Sequence, residues 1–203
     1  APDAGLFGRA AREICEILRT EGVADMPIGV DIVEPPMLAA LADEGVIVRD
    51  AQQIMLNARE VKSGDEITLL NTACAMVDGA YQLIAERLKP GIKESQLVAE
   101  VTKLLFDLGS EHVDNINAVS GERCSPHPHV FSDRIIRPGD QAFFDIIQTF
   151  VGYKTCYYRT FTVGVATDAQ RDAYKKAREW IDASIELMTP GRGTDEVARV
   201  WPK

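Results

Sequence analysis

Two neighbouring stretches of the chain place the strongest constraint on its fold. Residues 142–150 and 154–164 are rich in aromatic and β-branched side chains, which favour β-strands. Val151 and Gly152 supply the turn between them, and a short turn containing glycine favours a tight hairpin. Residues 115–120 have the same strand character. The sequence therefore predicts a block of strands in which 142–150 and 154–164 pair antiparallel.

Asp145 lies in the middle of the first of these strands, between the apolar side chains of Phe144 and Ile146. A buried carboxylate is stable only when it is neutralised, paired or bound to a metal. Asp145 is therefore a candidate site residue on physical grounds. The alternative is that strand alternation turns Asp145 to solvent, where it needs no partner.

The rest of the chain divides into two regions near Asp50. The periodicity of apolar residues before this point predicts helices at 6–18 and 35–42 and strands at 27–32 and 45–48. After it, the predicted helices are 51–60, 63–88, 94–108 and 167–188. Capping boxes that begin at Ser63 and Thr167 mark the starts of two of them. The change from short α/β elements to long helices predicts a domain boundary near Asp50.

The composition excludes some classes of partner. The 203 residues include 22 basic and 31 acidic side chains, for a formal net charge of -9. Nucleic-acid binders cluster Lys and Arg against phosphates, so this balance argues against a nucleic-acid partner. No apolar run approaches the roughly 20 residues that cross a bilayer, so we expect no membrane partner. The four cysteines are scattered and suggest no disulfide framework, which favours a reducing, cytoplasmic location.

A motif in the second strand resembles that of a known enzyme family. The sequence from Gly152 to Gly164 fits the pattern Gly-Tyr, two residues, Asp, two residues, Arg-Thr-Phe, except that Cys156 stands at the aspartate position. Further matches are Ser120-Gly121, Pro126-His127-Pro128-His129, Ser132-Asp133-Arg134 and Pro138-Gly139-Asp140. Together these motifs resemble the pita-bread hydrolases, the family of creatinase, prolidase and aminopeptidase P. The resemblance spans residues 52–203.

The resemblance implies an α/β (α+β) fold, the pita-bread catalytic domain. Residues 51–203 correspond to the first half of that domain. Residues 1–50 correspond to the C-terminal part of a smaller α/β N-terminal domain. We expect the chain to be an internal fragment, because it lacks an initiator methionine and stops within a predicted helix.

The resemblance also implies a site for two divalent cations, such as manganese, cobalt, zinc or iron. In the family they are held by two aspartates, one histidine and two glutamates. Asp145 matches the first aspartate, and Cys156, the second expected ligand, stands where the other belongs. A thiolate prefers softer ions and cannot bridge two ions as a carboxylate does. Three readings stay open: Cys156 as a ligand, a single-metal centre at Asp145, and a site without metal, as in creatinase.

The histidine loop supplies the predicted catalytic residues, His127 and His129. The family places a substrate-facing histidine in this loop. In creatinase it resembles a general acid/base, and in the peptidases it binds the tetrahedral intermediate. The spacing to the turn at 138–140 does not distinguish the two histidines. The alternative to a catalytic role is that these histidines lie on an exposed loop and have no function in catalysis. Tyr153, in the Gly-Tyr pair of the motif, is assigned to substrate binding, and Tyr158 is interpreted as a structural residue.

The resulting hypothesis is a hydrolase that acts on a C–N bond beside a carboxylate, as a Xaa-Pro dipeptidase or aminopeptidase does. Its substrate would be a small peptide or a small molecule, and the family resemblance implies a homodimer. Two alternatives remain. One is a non-peptidase relative that resembles ectoine hydrolase or dimethylsulfoniopropionate lyase. The other is a pita-bread binding module without catalytic activity.

Overall fold

The chain alternates helices with two small groups of strands. A computed structural model describes residues 4–202, in which there are seven α-helices and five β-strands. The helices are α1 (Leu6–Thr20), α2 (Pro35–Asp43), α3 (Gln52–Glu60), α4 (Gly64–Arg87), α5 (Glu94–Asp107), α6 (Asp168–Leu187) and α7 (Thr194–Ala198). The strands are β1 (Ile28–Val30), β2 (Val48–Asp50), β3 (His112–Ser120), β4 (Gln141–Phe150) and β5 (Tyr153–Thr162).

The described residues fall into two compact units that divide between Gly64 and Asp65. The first unit therefore includes α3, which the sequence analysis placed after the boundary near Asp50. The assignment of 1–50 and 51–203 to two named domains stays a prediction. The second unit contains the antiparallel sheet and the long helices.

In the first unit, β1 and β2 pair in parallel, with Ile28 opposite Val48. The expected strand at 45–48 is wrong in position, because its first residues terminate α2 instead. Gly45 adopts a left-handed conformation (φ 80°), and the backbone N–H of Val46 donates to the carbonyl of Leu41. This arrangement satisfies the last carbonyls of the helix and delays the strand until Val48.

The sheet of the second unit has the order β3–β4–β5 and is antiparallel throughout. Val151 and Gly152 form the predicted two-residue turn, and both have positive φ (49° and 79°). Positive φ at both positions gives the turn a twist that matches the twist of the strands it joins. The predicted pairing of β4 with β5 is confirmed.

The two faces of this sheet differ in composition because neighbouring side chains on a strand alternate. One face packs on α4 and α5 and forms the core. The buried members from β4 are Ala142, Phe144 and Ile146. The opposite face carries Phe143, Asp145 and their neighbours on β3 and β5. The fold thus separates the packing side of the sheet from the side that carries polar chemistry.

Hydrogen bonds from the Tyr81 side chain join α4 to the sheet, and a substitution of Tyr81 tests this packing. Its buried hydroxyl lies 2.9 Å from the carbonyl oxygen of Phe144 and 2.5 Å from that of Tyr157. Tyr81→Phe removes this donor and should lower the free energy of unfolding by about 1–3 kcal/mol. Urea denaturation followed by circular dichroism measures the loss. Tyr174→Phe is the matched control, since Tyr174 is 56% exposed; equal losses in both variants would contradict the assignment.

Candidate active site

Asp145 is almost fully buried on the open side of the sheet, with 2% of its surface exposed. Its Oδ2 accepts a hydrogen bond of 3.1 Å from the Nδ2 amide of Asn117, which pairs directly with it across β3 and β4. The Cys156 thiol lies 3.4 Å from Oδ1 and 3.7 Å from Oδ2. The alternative of a solvated aspartate is therefore wrong. Asp145 has the polar partners that a buried carboxylate requires.

Cys156 lies on the same face as Asp145, as the motif predicts. In the pairing of β4 with β5, Cys156 lies opposite Ile147, and Ile147 is two residues from Asp145 along β4. Partial desolvation raises the pKa of the Cys156 thiol, and the hydrogen bond and negative charge of Asp145 raise it further. The raised pKa makes Cys156 a weak nucleophile, because that role belongs to the thiolate.

Tyr158 stands directly opposite Asp145 on β5. Its ring centre is 5.8 Å from that of Phe143, which precedes Asp145 by two residues on the same face. Burial raises the pKa of the Tyr158 hydroxyl, and the negative charge of Asp145 contributes to the rise. The residue remains a neutral phenol. The sequence analysis interpreted Tyr158 as structural, whereas the structure places it beside the candidate carboxylate.

The histidine loop reaches the same face of the sheet. The rings of His127 and His129 are stacked with centres 5.0 Å apart. His127 also contacts Phe143 edge-on at 5.2 Å and Tyr158 at 6.4 Å. Phe143 and Tyr158 flank Asp145, so His127 is the histidine in ring contact with the Asp145 face.

A chain of amide side chains joins the loop to Asp145. Asn115 Nδ2 donates to Asn117 Oδ1 at 2.7 Å and makes a longer contact of 3.4 Å with the carbonyl oxygen of His129. Asn117 in turn donates to Asp145. Neither asparagine was predicted as a site residue, although polar residues at alternate positions of a predicted strand are a usable signal.

Tyr153 lies on the other face of the sheet. Alternation along β5 places it with Thr155, which is buried, and away from Cys156. Its hydroxyl donates to Glu66 Oε1 at 3.0 Å, and this hydrogen bond raises the pKa of Tyr153. The structure does not bring Tyr153 together with Asp145. Its assignment to substrate binding rests on the family resemblance alone.

The side chains near Asp145 do not form a complete set of metal ligands among the described residues. Within residues 4–202, no three His, Cys, Asp or Glu side chains converge in an arrangement that could hold an ion. Asp145 and Cys156 supply two donor side chains, whose nearest atoms are 3.4 Å apart. Structural zinc sites use four protein ligands and catalytic ones use three. The described residues therefore do not fit a complete metal centre.

Comparison with known proteins identifies the family of this fold. Residues 68–203, well over half of the chain, match metallopeptidase family M24. The chain belongs to family M24. Among curated M24 relatives, it is 29% identical over 159 residues to the probable dipeptidase PepE of Mycobacterium tuberculosis, covering 77% of this chain and 42% of PepE. It is 28% identical over 151 residues to the Xaa-Pro dipeptidase of Pyrococcus furiosus, covering 72% of this chain and 43% of the relative.

Solved structures support the same M24 fold. The prolidase of Pyrococcus furiosus superposes with a TM-score of 0.80 at 24% identity, over 93% of this chain and 56% of that one. PepE of Mycobacterium ulcerans superposes with a TM-score of 0.75 at 26% identity, over 84% and 47%. The resemblance to the pita-bread hydrolases is confirmed. The chain spans about half the length of these M24 proteins.

The name of family M24 associates its members with a metal, while the described part of this chain shows no complete metal centre. The M24 assignment therefore supports a hydrolase fold without deciding the metal content.

The helices of the described residues also bear on membrane attachment. No helix in residues 4–202 combines the length and the apolar composition that a bilayer crossing requires.

Proposed function

We propose that the whole protein is a hydrolase that cleaves a C–N bond beside a carboxylate, as a Xaa-Pro dipeptidase or aminopeptidase does. Membership of family M24 supports the hydrolase class. The relatives named dipeptidase and Xaa-Pro dipeptidase support the small-peptide substrate. The observation that carries the proposal is that the buried Asp145 carboxylate and the Phe143 and Tyr158 rings contacted by His127 lie on one face of the sheet.

The side chains at this face have distinct capacities. The carboxyl oxygens of Asp145 can accept hydrogen bonds, so they can hold an N–H group or a water molecule. His127 can transfer a proton to the leaving nitrogen, because imidazole is the side chain most often used as a general acid or base. Tyr158, a neutral phenol, can donate to a carbonyl oxygen. In this proposal His127 is the general acid/base and Asp145 orients the group it acts upon.

A dipeptide pair tests the proposal. The whole protein should release proline from Ala-Pro and leave Pro-Ala intact, because only the first has a proline nitrogen in the scissile bond. Proline release is followed by chromatography, with manganese added in one series and a chelator in the other. Absence of cleavage in both series would contradict the peptidase assignment.

Cys156 favours a second candidate, a creatinase-like hydrolase of a small molecule that needs no metal. A sulfur at the second aspartate position cannot bridge two ions as a carboxylate does, which weakens the case for a two-metal peptidase. Turnover of a small amide substrate that persists after chelation would favour this candidate.

A protein that binds peptides and cleaves none would instead be the pita-bread binding module. The homodimer and the cytoplasmic location inferred from the sequence stay predictions.

A further inference from the structure

The loop that carries His127 and His129 is closed at its base by one buried carboxylate. Glu94, the first residue of α5, has no exposed surface. Its Oε1 accepts from the backbone N–H of Ser120 at 2.8 Å and from the Ser120 hydroxyl at 2.7 Å. Its Oε2 accepts from the N–H of Ser132 at 2.9 Å and from the Ser132 hydroxyl at 2.7 Å. Ser120 precedes the loop and Ser132 follows it, so Glu94 joins both ends.

Arg123 extends these contacts into the loop. Its Nη1 donates to Glu94 Oε2 and, at 2.6 Å, to the Ser132 hydroxyl. Its Nη2 donates at 3.0 Å to the carbonyl oxygen of Val130, the residue after His129. The Arg123 side chain is 23% exposed and that of Glu94 1%. Hydrogen bonds between ionised partners in such a position are stronger than neutral ones.

The loop depends on these side chains because it has no regular structure of its own. In the described part of the chain, residues 125–131 make no backbone–backbone hydrogen bond to another element. Such segments are held by side-chain contacts or move on fast timescales. Among the described residues, two polar contacts hold this segment. Arg123 donates to the Val130 carbonyl, and Asn115 makes the longer contact with the His129 carbonyl.

We propose that Glu94 and Arg123 are positioning residues that hold His127 and His129 over the Asp145 face. The catalytic part of this inference rests on the proposed function, since it requires a histidine that acts on substrate. The structural part does not. Neither Glu94 nor Arg123 contacts Asp145, so both act through the loop.

A neighbouring arginine provides a matched control. Arg134 donates to the Ser120 hydroxyl at 2.8 Å and to Asp140 at 2.6 Å, so it belongs to the same polar cluster as Arg123. It is the more buried of the two arginines, with 10% of its side chain exposed, and the structure shows no contact from it to residues 125–131. Arg123→Met should release the histidine loop. Arg134→Met should cost stability and leave the loop in place.

Histidine NMR measures the order of the loop directly. The chain has three histidines, and His112, at the start of β3, is an internal reference. The stacked rings of His127 and His129 should shift each other's ring-proton signals in the wild type. We expect both signals to move to their unstructured positions in Arg123→Met, with His112 unchanged, and all three signals to stay in Arg134→Met. Unchanged signals in Arg123→Met, or equal changes in both variants, would overturn the proposal.

Activity tests the catalytic part separately. Displacing a catalytic group by about 1 Å can slow a reaction about a hundredfold, so kcat of Arg123→Met should fall by about that factor while KM changes little. Arg123→Lys, which keeps the charge next to Glu94, should recover part of kcat and serves as the second variant if Arg123→Met does not fold. A released loop with unchanged kcat would overturn the catalytic role. If the wild type cleaves no dipeptide, the proposed function fails, while the NMR result still decides whether Arg123 holds the loop.

Discussion

Cys156→Asp should give the whole protein a higher affinity for manganese, cobalt or zinc ions than the wild type has. The Cys156 sulfur lies 3.4 Å and 3.7 Å from the two Asp145 oxygens, so the new carboxylate would face an existing one. Two adjacent carboxylates repel each other unless a cation or a proton lies between them. A carboxylate can also bridge two such ions through its two oxygens, which a single sulfur at this position does not do.

Cys156→Asn is the matched control, because asparagine has the shape of aspartate without its charge. Elemental analysis after dialysis gives the metal content, and thermal unfolding with added manganese gives its effect on stability. An ion present at a hundredfold excess over its Kd should stabilise the Asp variant by about 2.7 kcal/mol. Equal metal binding by the two variants would contradict the prediction. Two ions per wild-type chain, with activity lost on their removal, would contradict the premise that Cys156 is a poor ligand.

His127→Ala should lower the turnover of the whole protein by about 10²–10⁴-fold, the usual contribution of a general acid or base. The geometry distinguishes it from His129. The His127 ring contacts Phe143 and Tyr158, which flank Asp145, whereas the ring contact found for His129 among the described residues is with His127. His129→Ala should therefore have the smaller effect.

His112→Ala is the control for this comparison, because His112 is exposed at the start of β3. Steady-state kinetics on the dipeptide substrate, with circular dichroism to confirm folding, measures each variant. A larger loss in His129→Ala would assign the proton transfer to His129. Full activity of the wild type after chelation, lost in His127→Ala, would support a mechanism like that of creatinase.

The helices and the strand pair follow from local signals in the sequence. Apolar periodicity and the capping box at Thr167 place α6 within a residue of its observed bounds, and the Thr167 hydroxyl accepts from the Gln170 N–H. The error at residues 45–48 arose because four apolar or glycine residues suit a buried strand and a helix terminus equally. Contacts that decide between them come from Leu41, several residues away.

The candidate site was predictable only in part, because it is assembled across strands. The position of Asp145 and Cys156 on one face follows from pairing across a two-residue turn. Asn117 reaches Asp145 through the pairing of β3 with β4, which contains a register shift between Val113 and Asn115. A shift of this kind changes which side chains face one another and has no clear signal in a single sequence. The role of Glu94 depends on side chains brought together from three separate segments.

The division of the sheet into two faces bears on how such a chain can change during evolution. Side chains of β4 that enclose the core, such as Phe144 and Ile146, are constrained by volume, and their replacement is felt throughout the packing. Asp145 and Cys156, on the opposite face, are not members of the core cluster formed by the described residues. A thiol can therefore stand in place of a carboxylate at position 156 while the strands and helices beneath it keep their arrangement. A chain can therefore keep the fold of its family without keeping every residue of the family's metal site.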